Sequence, residues 1–193
     1  MKTMDTNLLN NYVLKAIDAY PYELEETVEN LNYALSYESN NAYALYLMGR
    51  LQAEQFGDYE KAKHYYAEAL ASKLDFHKVY AHYILVLIWN EDYDEAQKLI
   101  DFALTVKGVY KSEIHLFQGY VYECLQKYKK ALKALKLAKR IAYNNSYVSF
   151  IDSEMKRIKN KMKPKKTKKT KSKKKKKNKI KNNLTTQKDC ALA

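Results

Sequence analysis

Glycine and proline are scarce in this chain, four and two residues among 193. With so few breakers, an all-helical body is expected. Gly49, Gly57, Gly108 and Gly119 are scattered, which excludes a phosphate-cradling loop. Cysteine is limited to Cys124 and Cys190, which form no paired framework and fit a reducing cytoplasm. His64, His77, His82 and His115 show no metal-ligand spacing, and Cys124 has no evident base. The expectation is a chain that is not an enzyme and has no metal and no cofactor. The longest strongly apolar run, Ile84 to Trp89, falls far short of the ~20 residues that span a bilayer. Met1-Lys2-Thr3-Met4-Asp5 lacks an apolar signal core, so a soluble cytoplasmic protein is expected. Arginine is rare (Arg50, Arg140, Arg157), while lysine, asparagine, tyrosine and isoleucine are common, the bias of an AT-rich coding sequence.

Apolar residues make up 47% of the chain, enough for a continuous core, and 19 residues are tyrosine, most of them expected to pack with a wet hydroxyl. Charge is split. Residues 1–154 hold 17 basic and 21 acidic side chains, a net of −4. Residues 155–193 hold 18 basic side chains and one acidic, Asp189, so the basicity of the whole belongs to the C-terminal end.

Ala34, Ala69, Ala103 and Ala138 recur at steps of 35, 34 and 35 residues. A repeat of that length is a helical hairpin that must stack on copies of itself to bury its apolar face. One unit contains Leu45, Met48, Gly49 and Gln52, a turn at Phe56-Gly57-Asp58, then Ala62, Tyr66 and Ala69. The next has Tyr80, Tyr83, Ile84 and Leu87, a turn at Asn90-Glu91-Asp92, then Ala96, Ile100 and Ala103. A third has Gln118, Gly119 and Tyr122, a turn at Gln126-Lys127, then Ala131, Leu135 and Ala138. A degenerate unit precedes them, with Leu14, Leu31, Ala34 and Leu35. Gly49 and Gly119, and Ala62, Ala96 and Ala131, mark close helix approaches, and Asp58 and Asp92 stand where they can cap the following helices. The acidic run Glu91 to Glu95 lacks the glycine and spacing of a calcium loop and suits a helix N-terminus.

These units resemble the tetratricopeptide repeat (TPR) family over roughly residues 8–145, its pattern being met as Leu45-x2-Met48-Gly49-x2-Gln52…Ala62-x3-Tyr66. Ile84 departs from the family's glycine, one residue near Gln55 is in excess of its turn, and Lys15 and Thr27 occupy the small positions of the first unit. The resemblance implies an all-α, right-handed superhelical array of about four TPR-like hairpins, units about 8–41, 42–76, 77–111 and 112–145. A helix over 146–163, with Ile151, Met155, Ile158 and Met162 on one face, is expected to cap the last hairpin.

In that family the first helix of each hairpin lines the concave face. Carried over, this implies a partner-binding surface of Tyr43, Tyr46, Arg50 and Glu54, then Lys78, His82, Leu85 and Trp89, then Glu113, Phe117, Tyr120 and Glu123. It suits an extended peptide or a partner helix, although Trp89 closes an apolar run and is equally readable as core. The family's carboxylate clamp is matched only in part, by Lys78 and His82, so binding of chaperone tails is not expected. The leading reading is a non-enzymatic scaffold or adaptor for a protein or peptide partner.

Beyond Pro164 the chain is dominated by lysine: Lys165, Lys166, Lys168, Lys169 and the unbroken Lys173, Lys174, Lys175, Lys176 and Lys177. Like-charge repulsion and missing core residues predict a disordered tail over 164–193. Such a tail can contact nucleic acid or an anionic surface without reading sequence, since no aromatic residue is interleaved for base stacking. The alternative reading is thus an accessory factor for nucleic acid or ribosomes, docked through the tail. A third is that the tail folds back on the acidic body.

Overall fold

The computed structural model describes residues 10–162, and among them every element is helical. The order is α1 (Asn11–Ala19), α2 (Leu24–Tyr37), α3 (Ala42–Leu51), a π-helical turn (Gln52–Phe56), α4 (Tyr59–Ser72), α5 (His77–Trp89), α6 (Tyr93–Ala103), α7 (Lys111–Cys124), α8 (Tyr128–Ile141) and α9 (Asn145–Met162). The packed body runs to Lys159. Lys163, Pro164 and the tail lysines from Lys165 to Lys177 lie outside the described residues.

The hairpins are α1/α2, α3/α4, α5/α6 and α7/α8, each packed on the next. The alanine frame sits at their contacts: Ala34, Ala69, Ala103 and Ala138 are fully buried, as are Ala62, Ala96 and Ala131. Glycine permits a close helix approach in two of the hairpins. Gly49 lies against the ring of Tyr66, where an added Cβ would come within 2.6 Å of Cε1, and Gly119 lies against Leu135. Where Ile84 takes the glycine's place, Ile100 occupies the repeat position of Tyr66 and Leu135, and both isoleucines are fully buried. α5 and α6 accordingly lie less closely along one another than α3 and α4 or α7 and α8.

The turns share one device. Asp92 N–H donates to the Leu87 carbonyl and Lys127 N–H to the Tyr122 carbonyl, both at 2.8 Å, closing the helix ends with Glu91 (φ 63) and Gln126 (φ 57) in the left-handed region. The α3/α4 turn has Gly57 there (φ 67), but ten residues separate Gly49 from Tyr59, against nine from Ile84 to Tyr93 and from Gly119 to Tyr128. The surplus residue is absorbed by the π-helical turn, which leaves Phe56 55% exposed.

Asp58 caps α4 as expected, accepting from Lys61 N–H at 3.0 Å. Other expectations are corrected. Asp92 does not cap α6; its carboxylate takes Lys63 Nζ at 2.6 Å and Asn90 Nδ2 at 2.7 Å, tying α4 to the start of the next second helix. In the first hairpin Leu14 faces solvent, and Val13 and Ala16 fill the interface instead. Lys15 is exposed, and Thr27 is buried because its hydroxyl donates back to the Glu23 carbonyl. On α9, Ile151, Met155 and Ile158 join Leu116, Ala131, Leu135 and Ala138 in a second core cluster, whereas Met162 is exposed.

Candidate functional site

The first helices of the hairpins form one row. α1 packs on α3 and α5 on α7. Side-chain bonds bridge α3 to α5, and α9 continues the row beyond α7 through Arg157 and Glu123. Partners across the row are one repeat apart in sequence: Tyr20 with Glu54 at 34 residues, Tyr43 with Lys78 at 35, Tyr46 with His82 at 36 and Glu123 with Arg157 at 34. The repeat thus places equivalent residues side by side on neighbouring helices.

At the α1–α3–α5 end the residues form a connected polar and aromatic cluster. Arg50 grips Glu54 through two bonds of 2.8 Å, and the guanidinium lies 4.8 Å from the centre of the Tyr20 ring. The Tyr20 hydroxyl donates to the same carboxylate. Burial acts to raise the Glu54 carboxyl pKa, but the bonds from Arg50 and Tyr20 outweigh it and hold the group below its ordinary value. Tyr46 is buried, its hydroxyl 3.4 Å from His82 Nδ1, and burial pushes its pKa up to about 12. His82 Nδ1 is 3.1 Å from the Lys78 carbonyl; burial, aided by the charge of Arg50, lowers the imidazole pKa and keeps it neutral at pH 7. Lys78 Nζ donates to the Tyr43 hydroxyl at 3.1 Å. Arg50 and Glu54 cancel one another, His82 is neutral, and Lys78 leaves the cluster one positive charge among its rings.

Leu85 is half-buried and Trp89 is 45% exposed, its ring 5.8 Å from that of Tyr59. Trp89 therefore stands at the surface and not in the core. On α7, Phe117 is buried, while Glu113 is half-buried with its carboxyl pKa raised by burial. Tyr120 is pushed up to about 12 by burial and by Glu154. Glu123 is buried and paired with Arg157, which also bonds Glu154 at 2.6 Å. Tyr46, Phe117 and Glu123 thus underlie the surface that the sequence placed them on. Sequence reasoning missed Tyr20, Glu154 and Arg157. Stepping one period back from Glu54, or forward from Tyr120 and Glu123, finds all three.

Among the described residues, no group of three histidine, cysteine or acidic side chains is placed to hold a metal ion. None of the described helices is long and apolar enough to cross a membrane.

No family profile matches the sequence, and no curated protein does. Solved structures do. MamA 41-end from Desulfovibrio magneticus RS-1 superposes with a TM-score of 0.60 at 17% identity, covering 80% of this chain and 90% of that one. A MamA RS-1 ArsTM double mutant gives 0.58 at 18%, covering 78% and 86%. The Arabidopsis OM64 TPR domain gives 0.52 at 16%, covering 60% and 94%. The fold is that of a tetratricopeptide repeat array.

Proposed function

We propose that this TPR-fold chain is a non-catalytic scaffold that binds a protein segment, extended or helical, along the row of first helices. Tyr43, Arg50, Glu54, Lys78, His82, Leu85 and Trp89 make the contacts. Tyr46, Phe117 and Glu123 support them from beneath, and Glu113 and Tyr120 extend the surface toward α9. The supporting observation is the cluster from Tyr20 to Lys78, with its Arg50–Glu54 pair and tyrosine rings, together with the exposed Trp89 at the end of α5, residue types that protein interfaces use. Similar solved structures that include a TPR domain are consistent with it.

The test is quantitative affinity purification from native lysate with the full chain, with residues 1–163, and with a Lys78→Ala/Trp89→Ala variant. Partners should be retained by 1–163 and depleted at least about tenfold by the double substitution, since anchor residues of this type carry about 1–2 kcal/mol each. Partners retained only by chains carrying the lysine tail would overturn the reading.

A second reading, association with nucleic acid or ribosomes through the tail, gains one observation from the folded body. α8 carries Lys129, Lys130, Lys133, Lys136, Lys139 and Arg140 and no acidic residue. That reading expects binding that falls steeply with added salt and is lost on deleting Lys165–Lys181; flat salt dependence would refute it.

A further inference from the structure

We propose a second docking surface, separate from the first-helix row, on α2 and the π-helical turn, and that it takes a basic amphipathic helix of a partner protein. Two hollows meet there. One, of about 770 Å³, is an apolar groove that runs along α2 and is lined by Leu24, Val28 and Tyr33 with Phe56 across from them. The other, of about 540 Å³, is mainly acidic, with Glu23 and Glu26 in its wall beside a single cation, Lys15. Glu25, Glu29 and Tyr33 line both, so the same ridge of α2 is apolar on one side and negative on the other.

The helical repeat makes that ridge. Leu24 and Val28 follow each other at i, i+4, and Glu25, Glu29 and Tyr33 form the adjacent i, i+4, i+8 row. From Leu24 to Ser36 the groove follows α2 for about 18 Å at 1.5 Å per residue, the length of a partner helix of three turns. Phe56, on the turn that takes up the surplus residue, is 55% exposed, and Tyr33 on α2 is 48% exposed. Charge selects the occupant. Between residues 11 and 37, Asp18, Glu23, Glu25, Glu26 and Glu29 are set against Lys15 alone, and the four glutamates are exposed. A helix with an apolar ridge and lysine or arginine along its edge satisfies both hollows at once; an acidic or uniformly polar segment satisfies neither.

The test uses the full chain and a fluorescent 14-residue helix of leucine and lysine only, with leucines on one face, read by anisotropy. A second peptide of the same composition has its leucines spread around the helix. Phe56→Ser and Glu25→Gln/Glu29→Gln change only exposed side chains, and circular dichroism checks their fold. Each variant should weaken binding about five- to tenfold, the loss expected of one aromatic anchor or two partly screened charge pairs. The rearranged peptide should bind at least about tenfold more weakly than the amphipathic one, and Trp89→Ala should bind as wild type does. Amide-exchange protection on binding should fall on residues 24–36 and 52–57.

Equal binding of the two peptides, or unchanged binding by both groove variants, would overturn the proposal. Loss of binding in Trp89→Ala but not in the groove variants would place the peptide on the first-helix row and overturn it as well. Self-association of the full chain that Glu25→Gln/Glu29→Gln abolishes would put a second copy in the groove in place of a partner protein.

Discussion

Replacing Gly49 by alanine should destabilise the protein, although alanine is the better helix former. Gly49 lies within α3, where the exchange alone would add about 1 kcal/mol of helix stability. The new methyl carbon would stand 2.6 Å from Tyr66 Cε1 and 2.7 Å from Cδ1, so the ring has to recede by several tenths of an ångström or more. It has little space to do so. Tyr66 is 1% exposed, with the ring of Tyr46 at 6.2 Å and that of Tyr83 at 5.8 Å. Overpacking of this kind costs about 1–3 kcal/mol, which leaves a net loss on the order of 1 kcal/mol. The α5/α6 hairpin suggests the compensating change, since Ile84 stands there at the glycine position and Ile100 at the position of Tyr66. Tyr66→Ile alone should cost ~2 kcal/mol or more through the cavity it leaves, and the double variant should recover about 1 kcal/mol relative to the sum. Urea unfolding followed by circular dichroism measures all four corners of the cycle. A Gly49→Ala protein more stable than wild type, or strictly additive effects, would refute size matching of Gly49 and Tyr66 as the basis of α3/α4 packing.

Glu91→Gly should raise stability by about 0.5–1 kcal/mol, because a left-handed φ of 63 strains any residue with a Cβ; denaturant midpoints check this. Arg157→Ala should cost about 1–2 kcal/mol by taking the guanidinium charge away from the buried Glu123 carboxylate, and Arg157→Ala/Glu123→Leu should recover part of it in the same assay. Stability should fall in two stages on acidification. The His82 pKa is depressed in the fold, so the unfolded chain takes up that proton first and stability drops as pH falls below about 6.5; His82→Gln should remove this upper stage from a series of melts across pH. Glu54, held low by Arg50 and Tyr20, and Asp92, held low by Lys63 and Asn90, contribute stability present above about pH 4 and lost as pH falls through their folded values.

The hairpins were legible because the residues that let helices approach, Ala34, Ala69, Ala103 and Ala138 among them, must be small wherever the contact recurs. The row of first helices followed from the same frame. What was not legible has physical causes. In the first hairpin Lys15 stands next to Ala16, and one step of register decides which of the two faces inward, so Leu14 was placed on the wrong face. The surplus residue near Gln55 was visible as a count, but a lengthened loop and a π-helical turn absorb one residue equally well. Asp92 was read as a cap because its position suits one, and the pull of Lys63 from the previous hairpin lies 29 residues away. Glu123 was placed on the surface because α9 read as a cap on the last hairpin and not as a further helix of the row, and Phe117 because its spacing does not distinguish a surface position from its place in the larger core cluster.

The central claim is that a protein partner lies along the first-helix row. Its most direct test is a photo-crosslinking residue introduced at Leu85, half-buried on α5, and separately at Lys98, exposed on α6, in the full chain inside cells. A discrete crosslinked protein product from position 85, and none from position 98, is the predicted result. No product at 85, or the same product from both positions, would contradict it.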